Sequence, residues 1–168
     1  MSKFLQGIKP GKLFAVSAPS GTGKTSLVNE LTKKIPFLVE SVSYTTRLPR
    51  KDEIEGKDYH FISRKTFKEK IEKNYFVEWA EVFGNFYGTS KNIIEKELDD
   101  GNFVICDIDI QGALNLQKKF PLETVLIFIL PPSFEELEKR LTGRDTDDNE
   151  TIKKRLEEAK HEMRYFKN

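Results

Sequence analysis

Apolar residues fall along this chain in two alternating rhythms. Leu13-Phe14-Ala15-Val16-Ser17 is a short apolar run that reads as a strand. From Lys24 the apolar positions Leu27, Val28, Leu31 and Ile35 recur at helical spacing, and the helix must stop at Pro36. The pair then repeats, with a strand from Phe103 to Asp107 and a helix from Gln111 to about Phe120. A third strand, Val125 to Leu130, leads into Pro131-Pro132-Ser133, where Ser133 and Glu136 have capping-box spacing for a helix that stops near Gly143. A last helix from about Glu150 carries Ile152, Leu156, Ala159, Met163 and Phe166 at helical spacing. Strand and helix alternating in this way predict an α/β fold whose parallel sheet is flanked by helices.

The stretch from about Ser41 to Thr89 departs from that rhythm. Tyr59 to Ile62, Phe76 to Val82 and Phe86-Tyr87 alternate apolar and polar residues, as strands of an antiparallel sheet with one wet face do. Gly84-Asn85 between two of them predicts a two-residue hairpin turn. The charged loop from Arg50 to Asp58 is solvated. The whole stretch reads as a small mixed or antiparallel β subdomain inserted after the first helix.

Length and charge narrow the classes. At 168 residues the chain is one compact domain. Its 28 basic and 27 acidic side chains leave a net charge of +1, which argues against a protein that coats nucleic acid or an anionic membrane. Cys106 is the only cysteine and sits in an apolar strand, so it reads as a buried thiol in a reducing, cytoplasmic setting. The longest apolar run is far shorter than the ~20 residues that cross a bilayer.

Candidate chemistry starts with Ala18-Pro19-Ser20-Gly21-Thr22-Gly23-Lys24-Thr25, followed by Ser26. The run fits a P-loop with alanine for the first glycine, and it lies between a strand and a helix, the context such a loop requires. Its glycines let successive N–H groups point at phosphate oxygens, and the helix N-terminus adds its dipole. Lys24 can reach a transferred phosphoryl group, and Thr25 can ligate Mg²⁺. Ala18 requires a turn that needs no positive φ. Asp107, at the carboxyl end of a strand, stands where a second carboxylate would reach Mg²⁺ through water, although a strand often ends in aspartate for no such reason.

A second cluster lies in the insertion. Arg47 and Arg50 are three residues apart beside the hydroxyls of Ser43, Thr45 and Thr46, and Tyr59, Tyr87 and Thr89 add more. Arginine forks grip phosphate in pairs of hydrogen bonds. Taken alone, the cluster is equally a basic loop beside sheet aromatics. Arg140, Arg144 and Arg155 are, on spacing alone, members of ordinary charged helix faces.

The pattern Thr45-Thr46-Arg47, Arg50, Glu53, Gly56, Tyr59, Phe61 resembles the signature of guanylate kinases. So do Phe76-Val77-Glu78-Trp79-Ala80, Tyr87-Gly88-Thr89, Asp107-Ile108-Asp109-Ile110-Gln111-Gly112 and Arg140-Leu141-Thr142-Gly143-Arg144, from about Leu13 to Arg155 in all. The resemblance implies a nucleoside monophosphate kinase that passes a phosphoryl group from ATP to GMP. It implies a core of residues 1–40, 90–133 and 157–168, a GMP-binding subdomain of 41–89 and a helical lid of 134–156. Arg47, Arg50, Tyr59 and Tyr87 would hold the GMP phosphate; Ser43, Glu78 and Thr89 would read guanine, with Asp109 near the nucleoside. Ala18 to Ser26 would bind ATP, with Mg²⁺ at Thr25 and, through water, Asp107. Lys24, Arg47, Arg140, Arg144 and Arg155 would stabilise the transferring group.

The chemistry of Glu78 agrees. It alternates with Val77 and Trp79, so it points away from them. A carboxylate only accepts, and guanine offers two adjacent donors where adenine does not, so Glu78 should reject AMP. The implied partners are GMP (with dGMP) and ATP, with no nucleic acid and no membrane, in a monomer or homodimer. Two rivals remain: a peptide-binding domain of the same fold, which the intact Lys24, Thr25 and Asp107 disfavour, and another P-loop phosphotransferase. The sequence ends at Asn168, where the resembled family adds a strand and a helix, with an Asn/Asp-containing loop after that strand that helps seat adenine, so those elements are expected to be missing.

Overall fold

The computed structural model describes residues 11–82, 84–143 and 149–165. Five strands and helices build the nucleotide-binding half around one sheet: β1 (Leu13–Ser17), α1 (Lys24–Lys34), β2 (Leu38–Glu40), and, after the insertion, β7 (Phe103–Asp107) and β8 (Thr124–Phe128). The sheet order is β2-β7-β1-β8 and every pairing is parallel. Strand residues of period two divide between its faces. Val16 and Ile105 bury against Val28 of α1, while Leu13, Ala15, Val104 and Cys106 bury against the other face. There they meet α3 (Lys91–Asp99) through Ile94 and Leu98, and α4 (Ile110–Lys119) through Ala113 and Leu116. Covering both faces is what a parallel sheet needs. Strand β8 is an edge among the described residues, and Val125, Leu126 and Ile127 stay about two-fifths exposed there.

The insertion forms a second sheet from β3 (Tyr44–Thr45), β4 (His60–Phe61), β5 (Phe76–Val82) and β6 (Asn85–Ser90), in the order β4-β3-β6-β5. It is mixed: β3 runs parallel to β4, and the other two pairings are antiparallel. Helix α2 (Arg64–Glu72) covers one face with Phe67, whose ring stacks on Phe76 at 4.5 Å and on Phe86 at 5.4 Å. Asn85 is not a turn residue, because it already pairs with Val82 as the first residue of β6; Gly84 before it takes φ +73.

The β5–β6 register slips between Phe76 and Glu78. Phe76 therefore joins the cluster under α2, while Val77 is buried in the core of the parallel sheet. Beyond the slip, Trp79 is 43 % exposed and touches Phe86, so Val77 and Trp79 do not share the buried environment that plain alternation suggests. Glu78, Ala80 and Val82 face the other way, towards the phosphate loop.

Helices α5 (Phe134–Thr142) and α6 (Asn149–Tyr165) pack together through Leu137, Leu141, Ile152 and Ala159. Ser133 caps α5 by accepting from the N–H of Glu136. Helix α5 also lies on the phosphate loop: a Cβ on Gly21 would come within 2.9 Å of the Leu141 side chain.

Candidate active site

The loop between β1 and α1 shapes the site first. Gly21 and Gly23 adopt φ of +89 and +100, conformations that a side chain disfavours. Among described non-glycine residues only Asn74 has positive φ, so Ala18 sits in a turn that alanine tolerates. Gly23 caps α1 without any side-chain hydrogen bond, leaving the helix N-terminus to a ligand.

Parallel register sets Asp107 beside Val16, at the mouth of the same loop. Lys24 Nζ lies 2.5 Å from Asp107 Oδ1 and donates to the Ile108 carbonyl at 2.9 Å. The Thr25 hydroxyl donates to Asp107 Oδ2 at 2.7 Å. One hydroxyl beside one carboxylate is a small hard-oxygen donor set, which suits Mg²⁺, an ion that keeps several of its waters.

A cleft of about 280 Å³ opens between the two sheets. The phosphate loop from Ala18 to Ser26 lines one wall, and Ser43, Arg50, Tyr59, Glu78 and Tyr87 line the other. Asp107 and Asp109 form its floor, and Arg155 enters from α6. Three of the predicted residues stand outside that lining. Thr89 is fully buried behind Glu78. Arg140 donates to the Thr22 carbonyl at 3.0 Å and to Glu136 at 2.9 Å, tying α5 to the loop. Arg47 turns both guanidinium nitrogens to Glu53, at 2.9 and 2.8 Å, and lies over the Tyr59 ring. Arg144, and Phe166 of the expected last helix, lie outside the described residues.

Glu53 joins this arrangement by also accepting from the Arg50 N–H at 2.7 Å. Burial works against its charge, but Arg47 and the Arg50 N–H outweigh it and hold the carboxyl below the usual range. Burial pushes the Tyr59 hydroxyl up, with Asp107 adding to the effect, so it stays a neutral donor.

Glu78 is 8 % exposed and accepts from the Thr89 hydroxyl at 2.5 Å. Burial pushes its carboxyl up to about 7; Asp109 adds to the rise, and the Thr89 hydrogen bond opposes it. A solvated strand residue would show none of this.

Sequence reasoning passed over Glu158 and Glu162, which line the cleft with Arg155. Their spacing of three and seven residues from Arg155 puts them on one helix face, and that was the available signal. Glu162 is pushed up to about 7 by burial, then by Glu158 and Asp109. A second pocket of about 190 Å³ adjoins the cleft and adds Glu40, also pushed to about 7 by burial, then by Asp107 and Asp58.

A family model described as Guanylate kinase matches residues 10–167. The chain belongs to the guanylate kinase family. A guanylate kinase of Shewanella sp. (strain MR-7) is 52 % identical over 158 residues, covering 94 % of this chain and 76 % of that protein. The guanylate kinase of Wolinella succinogenes is 50 % identical, covering 94 % and 73 %. Among solved structures, the guanylate kinase of Anaplasma phagocytophilum superimposes with a TM-score of 0.70 at 32 % identity, covering 92 % of this chain and 87 % of that one. The guanylate kinase fold accounts for both sheets, the parallel one flanked by helices and the separate mixed one. Among the described residues no helix is long and apolar enough to cross a membrane.

Proposed function

We propose that this cleft transfers the γ-phosphoryl group of ATP to GMP, giving ADP and GDP. The chain is an enzyme of its family, a phosphotransferase of purine nucleotide metabolism. The observation that carries the residue assignment is the sharing of one cleft by Lys24 of the phosphate loop and the buried carboxyl of Glu78.

ATP phosphates take the N–H groups of the loop from Ala18 to Ser26 and the Lys24 ammonium, which exchanges Asp107 for them. Mg²⁺ arriving with ATP would be held by Thr25 and, through water, Asp107, and would supply positive charge to the phosphates there. Arg50, Tyr59 and Tyr87 hold the GMP phosphate, and Arg47 joins them by exchanging Glu53 for it. Ionised Glu78 accepts from N1–H and the 2-amino group of guanine, with Ser43 and Thr89 supporting it and Asp109 beside the nucleoside. Adenine puts an acceptor at N1 and lacks the amino group, so AMP would leave a buried carboxylate unpaired.

The acceptor is itself a phosphate anion, so no general base is needed. What the residues supply is alignment of two anions and compensation of their repulsion, by Lys24, Arg47, Arg140, Arg144 and Arg155. The lone buried thiol of Cys106 supports a reducing, cytoplasmic setting.

ADP release measured with GMP, AMP and UMP in parallel at fixed MgATP tests the assignment. Turnover with GMP alone is the expected result. Equal turnover with AMP, or ADP release without any acceptor, overturns it.

A further inference from the structure

Helix α4 begins with an anomaly in its third residue. Gly112 is buried and helical, where glycine is a poorer helix former than alanine. Its φ is not positive, so the backbone does not require glycine. What a side chain there would displace is the carboxylate of Glu78 on β5, the strand that packs against α4. A Cβ on Gly112 would lie 2.9 Å from Glu78 Oε2 and 3.3 Å from both Glu78 Cδ and Asp109 Oδ1. The other carboxylate oxygen, Oε1, is held by the Thr89 hydroxyl. The carboxylate is thus gripped between a hydroxyl on β6 and a bare Cα on α4, and Gly112 N–H at the same time donates to the capping carboxylate of Asp109 at 2.7 Å.

We propose that Gly112 is a specificity-determining positioning residue: its missing side chain is the space in which the Glu78 carboxylate lies, and that space sets the carboxylate's distance from the base of the acceptor nucleotide. The inference rests on Glu78 being the guanine reader. Two donors on a rigid base must meet two oxygens together, so a shift of a few tenths of an ångström degrades both hydrogen bonds.

The test is Gly112→Ala, assayed with GMP and with IMP, which keeps N1–H but lacks the 2-amino group. The expected result is a KM for GMP raised about tenfold or more and a reduced preference for GMP over IMP, with the KM for ATP unchanged and thermal stability held or raised by the better helix former. Adding Glu78→Asp, whose carboxylate retreats by one methylene, should restore part of the GMP KM lost in Gly112→Ala, while in the parent enzyme the same change should only weaken GMP. An unchanged GMP KM and an unchanged GMP-to-IMP preference in Gly112→Ala overturn the proposal, as does a loss spread equally over GMP and ATP.

Should Gly112→Ala fail to fold, recovery in the Gly112→Ala/Glu78→Ala pair supports the contact, and continued misfolding overturns it. Glu78→Gln separates the two claims. If that variant keeps the parent's GMP-to-IMP preference, the guanine-reading assignment itself fails; if it loses the preference while Gly112→Ala retains it, only the role of Gly112 falls.

Discussion

Arg47 spends its guanidinium on Glu53 in a two-pronged pair, 2.9 and 2.8 Å long, rather than on the cleft. Both side chains are about five-sixths buried, so the pair is a fixed, dehydrated geometry and not a loose surface contact. A phosphate dianion offers the same planar fork stronger acceptors. Arg47→Ala should therefore raise the KM for GMP by roughly 10- to 100-fold, the usual range for losing charge-assisted hydrogen bonds, and leave that for ATP within about twofold. Unchanged GMP affinity in steady-state titrations would displace Arg47 from the acceptor site.

Glu53 gives a complementary prediction. Glu53→Gln keeps the shape but removes the charge that orients Arg47 and Arg50. The KM for GMP should rise and the melting temperature fall together, because two partly buried cations lose their common partner. Thermal unfolding and GMP titration on the same preparation check it, and a tighter GMP KM would mean that Glu53 only competes with substrate.

Lys24 bridges Asp107 and the Ile108 carbonyl, both at the end of β7. Those bonds are local and the core beneath them is apolar, so Lys24→Ala should leave circular dichroism and melting close to the parent. Turnover should fall by at least about 10² to 10³, since a preorganised cation at the transferring group is lost. Near-normal turnover would remove Lys24 from the chemistry.

The parallel core was legible because its strands are short and apolar throughout, and because α1 and α6 repeat apolar residues at helical spacing. The P-loop was legible for a local reason: its chemistry needs glycine at Gly21 and Gly23, where φ is positive. Helices α2 and α3 were not, because each buries so little: Phe67 alone in α2, and Ile94 and Leu98 in α3. Strands β2 and β3, three and two residues long, carry no period at all. The alternation rule gave the right face for Glu78, opposite Trp79, but not the separate surroundings of Val77 and Trp79, because the register slip at Val77 adds a residue that no local pattern marks. Glu158, Glu162 and the role of Gly112 depend on which surface faces the cleft, which only packing decides.

Gly21 carries two constraints at once, a φ of +89 and a Leu141 side chain 2.9 Å from where a Cβ would be. Gly21→Ala should cost about 1–3 kcal/mol from the left-handed backbone alone. It should also push α5 off the phosphate loop, loosening the hydrogen bond from Arg140 to the Thr22 carbonyl. The expected signature is a lower melting temperature with a raised KM for ATP and a smaller change for GMP. A variant with parent-like melting and ATP affinity would mean that the loop and α5 move apart without consequence.

Glu78 should couple guanine recognition to pH. Its carboxyl is pushed from an ordinary 4.5 to about 7, first by burial and then by Asp109. The unfolded chain therefore releases this proton at lower pH than the folded protein does, so the group's stabilising contribution is whole below about 4.5 and is lost as pH rises to about 7. Glu78→Gln has no such proton, and its melting temperature should gain on the parent's between those limits and run parallel above them. Binding has the opposite sense: only the ionised carboxyl accepts both guanine donors, so the parent's GMP affinity relative to Glu78→Gln should improve as pH rises through about 7. The second ionisation of the GMP phosphate, near 6, is common to both proteins and cancels in the ratio. A ratio that stays flat between about pH 5.5 and 8 would mean that Glu78 already carries its charge at the lower end, or never meets the base.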